Sequence, residues 1–441
     1  MTERITDPAR PVGPGMERTC PFAPPEELER LRDNAPVAPF QFLDGHVGWI
    51  VTSHELIRRI MGDPRFSRGA SGNPLTPPEI QAALVAQAID TDDTFPDDAR
   101  KRVEDLRAES RLVDLTWDPV VVRALHDSPL RILPFSNMDP PHHTRMRRLL
   151  TGFFTVRSVT AHRDRITEIV DECLDEMERR GGPVDIVELF AFPIPFRMSC
   201  EMLGVPEEMR PALELLSSDR NRAGATEEDV VNVFLELREL TAKVIELRRT
   251  EPGDDLLSRL VQDGEMTEVE LVSAAVLLTL AAVLTTSNTL AGSIAALLRD
   301  REQWDLLVAG AVGPAAATEE LLRYTSAVQA AETRTALEDV ELAGVTVKAY
   351  ERLALSLAVA NRDEHVFANG GRLDLTRKAT NHVTFGHGVH QCLGQQLVRL
   401  EVQIAISRLA ERFPTLKLAG DITWPNEEVD IHGPVRVPVS W

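Results

Sequence analysis

Between residues 143 and 320 apolar positions recur at helical spacing, with breaks only at Gly181-Gly182-Pro183, Pro193/Pro195, Gly204-Val205-Pro206 and Gly253. Glycine and proline are the residues least tolerated inside a helix, so these points separate a run of helices. The longest apolar stretch, Leu271 to Leu298, carries no charge and is long enough to cross a bilayer. Its centre is polar, Thr285-Thr286-Ser287-Asn288-Thr289, and its flanks lack a Lys/Arg cluster. The pattern predicts a long buried helix. Strand signals lie on either side of the helical run. Trp49-Ile50-Val51 leaves a turn at Asp44-Gly45, and Ser53 then caps a helix through Ile60. After Arg323 come Val340–Val347 and Leu353–Val359, with more strand near the C-terminus. A helix is expected from just after Pro96 to about Leu115, with Val103, Leu106 and Val113 on its apolar side. Around it, Asn73-Pro74, Pro77-Pro78 and the acidic run Asp90 to Asp98 break up residues 68–134. Residues 1–25, rich in Pro and Gly, read as irregular. The expected architecture is mainly α with small β-sheets, a single domain over 26–441 and no internal repeat.

At 441 residues with 43% hydrophobic positions, the chain can bury a large core unaided. Its 69 acidic and 48 basic residues give a net charge of −21, which excludes general nucleic-acid binding. Four scattered cysteines (Cys20, Cys173, Cys200, Cys392) make no disulfide framework. The N-terminal stretch has no apolar core of a signal peptide, so a cytoplasmic location without membrane attachment is expected.

The densest chemistry is Phe385-Gly386-His387-Gly388-Val389-His390-Gln391-Cys392-Leu393-Gly394. Two glycines permit positive φ and close backbone approach to a flat group. A helix from Gln395 to Phe413 would aim its first N–H groups at the sulfur and favour a thiolate. A thiolate is a ligand that haem iron accepts. A buried structural thiol is the plainer alternative. A zinc site using His387, His390 and Cys392 is another, though the spacing is poor for zinc.

This segment resembles the haem-ligand loop of the cytochromes P450. Other stretches follow in that family's order. Glu320-Leu-Leu-Arg323 resembles its Glu-x-x-Arg motif. Asn361-Arg362-Asp363 and Gly371-Arg372-Leu373-Asp374 resemble the meander that follows. His143-Thr144-Arg145-Met146-Arg147 and Ala281 to Thr286 resemble its C helix and distal helix. The likeness covers about residues 20 to 440 and is nearest to soluble actinobacterial P450s of specialised metabolism.

The resemblance implies a triangular helical prism with haem b between the distal helix and the Cys loop. Cys392 would be the iron ligand, with Phe385 and Gly386 in the cofactor loop. His143, Arg147, Arg334 and His390 would bind the propionates, which need cations or strong donors when buried. Glu320, Arg323 and Arg372 would form a buried ion-pair network. Ala281, Ala282, Thr286, Val328, Gln329 and Ala330 would line the substrate pocket. The implied reaction is oxidation of a mid-sized natural product, free or carrier-bound, by a monomer using O2. Electrons would come from ferredoxin and ferredoxin reductase, docked at Arg145, Arg148 and Arg399.

Three departures stand out. The family's acid before the distal threonine is replaced here by Leu284, beside Thr285, so the usual proton route is incomplete. Glu332, two residues before Arg334 on one strand face, is a weak substitute and a natural partner for that Arg. The 68–134 segment is several tens of residues longer than in the family and could lid the pocket through Phe95, Trp117 and the helix there. Tyr350 stands where a turn glycine is common, which suggests altered turn geometry. The missing acid keeps oxidative coupling or cyclisation without oxygen insertion open beside hydroxylation. A non-catalytic haem-binding helper is the alternative from outside enzymes.

Overall fold

Ser53 begins the second helix as its position suggests, its side-chain oxygen accepting from the Leu56 amide. The structure, a computed structural model, describes residues 18–42, 45–69, 96–111, 135–219, 227–329, 332–425 and 431–441, with positions 12, 16, 82, 86, 89, 118, 120 and 121. From the N-terminus, α1 (Glu26–Asn34), β1 (Val37–Gln41), β2 (Val47–Val51), α2 (His54–Gly62) and β3 (Phe66–Ser67) precede α3 (Asp97–Ala108). The helices that follow include α4 (His142–Thr151), α5 (Arg163–Arg180), α6 (Pro193–Leu203), α7 (Glu227–Thr250), α8 (Glu268–Arg299) and α9 (Pro314–Thr325), with shorter helices between them. Strand β4 (Val184–Asp185) lies between α5 and α6. Then come β5 (Glu332–Ala336), β6 (Val340–Leu342), β7 (Val345–Val347), β8 (Arg352–Leu355), α10 (Leu357–Ala360), α11 (Gln395–Arg412), β9 (Lys417–Leu418) and β10 (Pro438–Ser440). The expected mainly α architecture with small sheets holds.

The glycine breaks act as helix stops. Gly181 at φ 71° closes α5, and Gly204 at φ 75° closes α6. Three expectations need correction. Helix α3 stops at Ala108, before the predicted Leu115, because Ser110 turns into a left-handed φ of 57°. The apolar run Leu353–Val359 is strand only to Leu355, and its second half is the helical turn α10. Periodicity alone cannot separate strand from buried helix over so few residues. Tyr350 keeps the positive φ of a turn glycine, 69°, with its amide on the Ala336 carbonyl at 2.6 Å. The turn geometry is thus retained, at a steric cost to the side chain. Most of the 68–134 segment, with Phe95 and Trp117, lies outside the described residues.

Packing divides the chain into two units. The first takes Met1–Arg145, Val328–Ala368 and Gly386–Gln391. Its sheet runs β1-β2-β8-β5-β3, with β2 and β8 parallel and the other neighbours antiparallel. Leu28, Leu31, Phe42, Ile50 and Val359 form an apolar cluster within it. At the far edge Phe66 pairs with Ala336 and Ser67 with Thr335.

The second unit takes Met146–Ala327, Asn369–Phe385 and Cys392–Trp441. Its axis is α8, which packs on α6, α7, α9 and α11. Leu290, Ile294 and Leu297 of α8 are wholly buried, which explains its uncharged run. The helix is long and apolar enough to cross a membrane, yet here it is the core of its unit. A capping box starts it: the Thr267 side chain accepts from the Glu270 amide, and the Glu270 carboxylate accepts from the Thr267 amide.

Candidate active site

Cys392 is half-buried and in no disulfide, and its amide donates to the Phe385 carbonyl at 2.8 Å. Helix α11 opens three residues later, and its N-cap, Gly394, offers no side chain to the first-turn N–H groups. Between Phe385 and Cys392 the chain needs both glycines. Gly386 has φ 68° and Gly388 φ 75°, and a Cβ on Gly388 would stand 2.5 Å from the Met61 carbonyl oxygen. Arg147 finds no carboxylate among the described residues. Burial lowers its guanidinium pKa, and the nearby Cys392 charge offsets part of that effect. A half-buried cation beside a thiolate suits a ligand that brings an anion and a thiolate-seeking metal. Among the described residues, no cluster of three His, Cys, Asp or Glu could hold a metal ion, which leaves the zinc alternative without a ligand set.

Phe385 is braced from below. The Arg399 guanidinium sits 4.5 Å from the ring centroid and forks onto Glu319 at 2.6 and 3.2 Å. His382 Nε2 lies 3.3 Å from the same carboxylate. Burial would raise Glu319, but His382 and Arg399 together hold it down to about 2. Arg399, expected in a docking role, is here engaged with Phe385 and Glu319. Arg148 is exposed, 3.6 Å from Glu265, which is exposed as well.

The buried pair Glu320 and Arg323 forms as expected, with two hydrogen bonds of 2.7 Å. Arg323 also donates to the Gly370 and Arg372 carbonyls at 2.6 and 2.9 Å. The second guanidinium on Glu320 belongs to Arg377, at 3.2 Å, so Arg372 takes part through its carbonyl and not its side chain. Thr384, just before Phe385, donates to the Leu322 carbonyl at 3.0 Å, which ties this network to the Cys loop.

In the first unit, His143 and His390 face each other with ring centroids 4.2 Å apart, both largely buried. His390 Nδ1 is buried without a hydrogen bond among the described residues. Burial, His143 and the nearby Arg334 and Arg68 push the His390 pKa down to about 2, so this imidazole is neutral. Arg334 is 2% exposed and donates to Glu332 at 3.0 Å. Glu332 is also 3.3 Å from Arg68 Nη1. Burial alone would raise the Glu332 carboxyl, but the two arginines overcome it and hold the group low. A carboxylate held ionised is a poor proton donor near neutral pH, and the structure supports pairing over the proton-delivery role. Arg68 and Asp139 escaped sequence reading, because a lone Arg after Phe66-Ser67 carries no periodic or motif signal.

On α8, the Thr285 hydroxyl donates to the Ala281 carbonyl at 2.7 Å, so its proton is committed within the helix. Leu284, Ala281 and Ala282 are half-buried, and Thr286 Oγ1 is buried without a partner among the described residues. In the other unit, Val328 is half-buried. Gln329 is buried, and its side-chain oxygen accepts from Arg18 at 3.3 Å. Ala330 lies outside the described residues.

A family model described as "Cytochrome P450" matches residues 315–430. The chain is similar to cytochrome P450-SOY of Streptomyces griseus, 35% identical over 100% of both chains. It is also similar to pentalenic acid synthase of Streptomyces avermitilis, 35% identical over 100% of both. Among solved structures, the mycinamicin VIII C21 methyl hydroxylase MycCI from Micromonospora griseorubida, bound to mycinamicin VIII, superposes with a TM-score of 0.78. That match is 30% identical and covers 98% of this chain and 100% of the other.

Proposed function

The chain belongs to the cytochrome P450 family, whose cofactor is haem b, and on that premise we propose that Cys392 is the iron ligand of a monooxygenase acting on a mid-sized natural product. Enzymes of this family are oxidoreductases that use redox partners and small-molecule substrates. The observation that carries the assignment is the Cys392 loop, closed onto the Phe385 carbonyl, opened by two positive-φ glycines and followed at once by α11. Bound there, the haem supplies the activation of oxygen that no side chain can provide.

The chain's own residues supply the rest. Arg147, beside Cys392 and without a carboxylate partner among the described residues, would meet one haem carboxylate. His143, Arg334 and His390 would serve as the other propionate-side donors, His390 as a neutral imidazole. Phe385 and Gly386 would shape the floor under the ring. Ala281, Ala282, Thr286, Val328, Gln329 and Ala330 would bound the substrate, and the small residues among them leave it room. Electrons would come from ferredoxin and its reductase, docked through Arg145 and Arg148, in a monomer of the cytoplasm. The direct test is Cys392→Ser. The wild type should show the long-wavelength Soret band of a carbon-monoxide-bound ferrous thiolate haem, and the variant should lose it. A wild type without that band would overturn the assignment.

One observation favours a second reading. With Leu284 in the acid position and the Thr285 hydroxyl donating to Ala281, α8 carries no acid next to Thr285 to pass protons to it. Coupling or cyclisation, which leaves no oxygen in the product, would suit such a helix. Leu284→Glu should then raise the ratio of oxygenated product to hydrogen peroxide. Labelled oxygen recovered in the wild-type product would return the choice to hydroxylation.

A further inference from the structure

Arg68 lies outside the residue set carried over from the family, yet it is 6% exposed and sits among that set. The reason is register. β3 pairs with β5 antiparallel, Phe66 opposite Ala336 and Ser67 opposite Thr335, so the next position sets Arg68 opposite Arg334. Two like charges placed directly across strands repel, and burial removes the water that would screen them.

The chain offers them little compensation. Both guanidinia use Nη1 alone. Arg68 Nη1 reaches Glu332 at 3.3 Å and the Thr333 carbonyl at 3.1 Å, and Arg334 Nη1 reaches the same two at 3.0 and 2.7 Å. Among the described residues, Nε and Nη2 of both side chains make no hydrogen bond. Asp139 is close, but its oxygens take the Ser67 hydroxyl and the Arg68 and Gly69 amides, fixing the backbone on which Arg68 stands. Beside these cations lies His390, whose Nδ1 has no hydrogen-bond partner among the described residues. Two buried forks that share one carboxylate, with four N–H-bearing nitrogens left over, make a site for a further carboxylate.

We propose that Arg68 is an additional propionate-binding residue of this protein, pairing with Arg334 across the shared Glu332 to hold the haem carboxylates in their ionised form. The proposal rests on the haem-thiolate reading above. The competing role is a brace, in which Arg68 only neutralises Glu332 and pins β3. A brace would not alter the cofactor's electronics, whereas a cation at the propionates stabilises the more negative ferrous state.

The test compares Arg68→Gln and Arg68→Lys with the wild type, all loaded with haem. Three readouts are taken: the ferrous carbon-monoxide spectrum, the reduction potential, and the rate of haem transfer to excess apomyoglobin. Arg68→Gln should keep the thiolate spectrum, shift its potential negative and release haem about tenfold faster. Arg68→Lys keeps the charge but loses the fork, so its potential should stay near that of the wild type while haem release quickens several-fold. Unchanged potential and unchanged release in Arg68→Gln would overturn the proposal and leave a brace. If Arg68→Gln fails to fold, a Lys variant with unaltered haem release would overturn it equally. Absence of the thiolate spectrum from the wild type would instead overturn the haem reading, before any variant is compared.

Discussion

At the residue scale the most unusual group is Glu401 on α11, 2% exposed with no hydrogen-bond or ionic partner among the described residues. Burial pushes its carboxyl up from the ordinary glutamate value of 4.5 to about 8. Between those values the folded chain holds a proton that the unfolded chain has released. By linkage, this group's contribution to stability is fully present below pH 4.5, declines as pH rises through that window, and levels off above about 8. Glu401→Gln should remove that slope. Its thermal midpoint should gain on the wild type's at each step from pH 5 to pH 8, as differential scanning calorimetry would show. Nothing in the sequence marks this residue, since a glutamate nine positions after a cysteine looks like any helix-surface acid. Cys392 was legible for the opposite reason: its glycines and histidines stand at fixed offsets within ten residues. The partner of Glu320 was misassigned because Arg372 and Arg377 are both plausible by spacing, and only the turn of the meander selects Arg377.

The elements that carry the Cys loop are held by a few polar ties. Arg399 on α11 spans Phe385 and Glu319, and Thr384 anchors to α9. Arg399→Ala removes the cation over the ring and leaves Glu319 half-buried beside His382 alone. We expect a loss of about 2 kcal/mol in unfolding free energy, with faster haem release. Arg399→Lys should recover only part of it, because an ammonium cannot fork onto the carboxylate. Chemical denaturation with and without haem would measure both. Element positions were largely legible in the sequence. Ser53, Gly181 and Gly204 act as cap and stops at the positions where they were read. What failed was short and apolar: Leu353–Val359 is compatible with either periodicity, and tertiary packing settles it by turning the chain at Ser356.

At the scale of the whole molecule, the −21 net charge would repel an acidic redox partner unless cations are concentrated where it docks. Arg148 has a loose, solvent-exposed contact with Glu265, which holds it weakly and leaves its charge available. If Arg145 and Arg148 form the dock, reversing both to Glu should slow the second-order rate of reduction by ferredoxin about tenfold at low salt. The difference should shrink as ionic strength rises, because screening removes the steering. Stopped-flow reduction over a salt series would measure it, and Arg399→Ala should leave the salt slope as it is.

The uncharged stretch of α8 has a consequence in time as well as in space. The helix ends at Arg299, but two of its packing partners, α9 and α11, are completed only at Thr325 and Arg412. On the ribosome, at roughly 5–20 residues per second, the stretch to Arg412 takes roughly 6–23 s. Throughout that interval the nascent chain displays a long apolar helix with part of its cover still unsynthesised. The quality of the finished enzyme therefore depends on what shields that helix while the C-terminal third is being made, and translation speed after Arg299 becomes a determinant of yield.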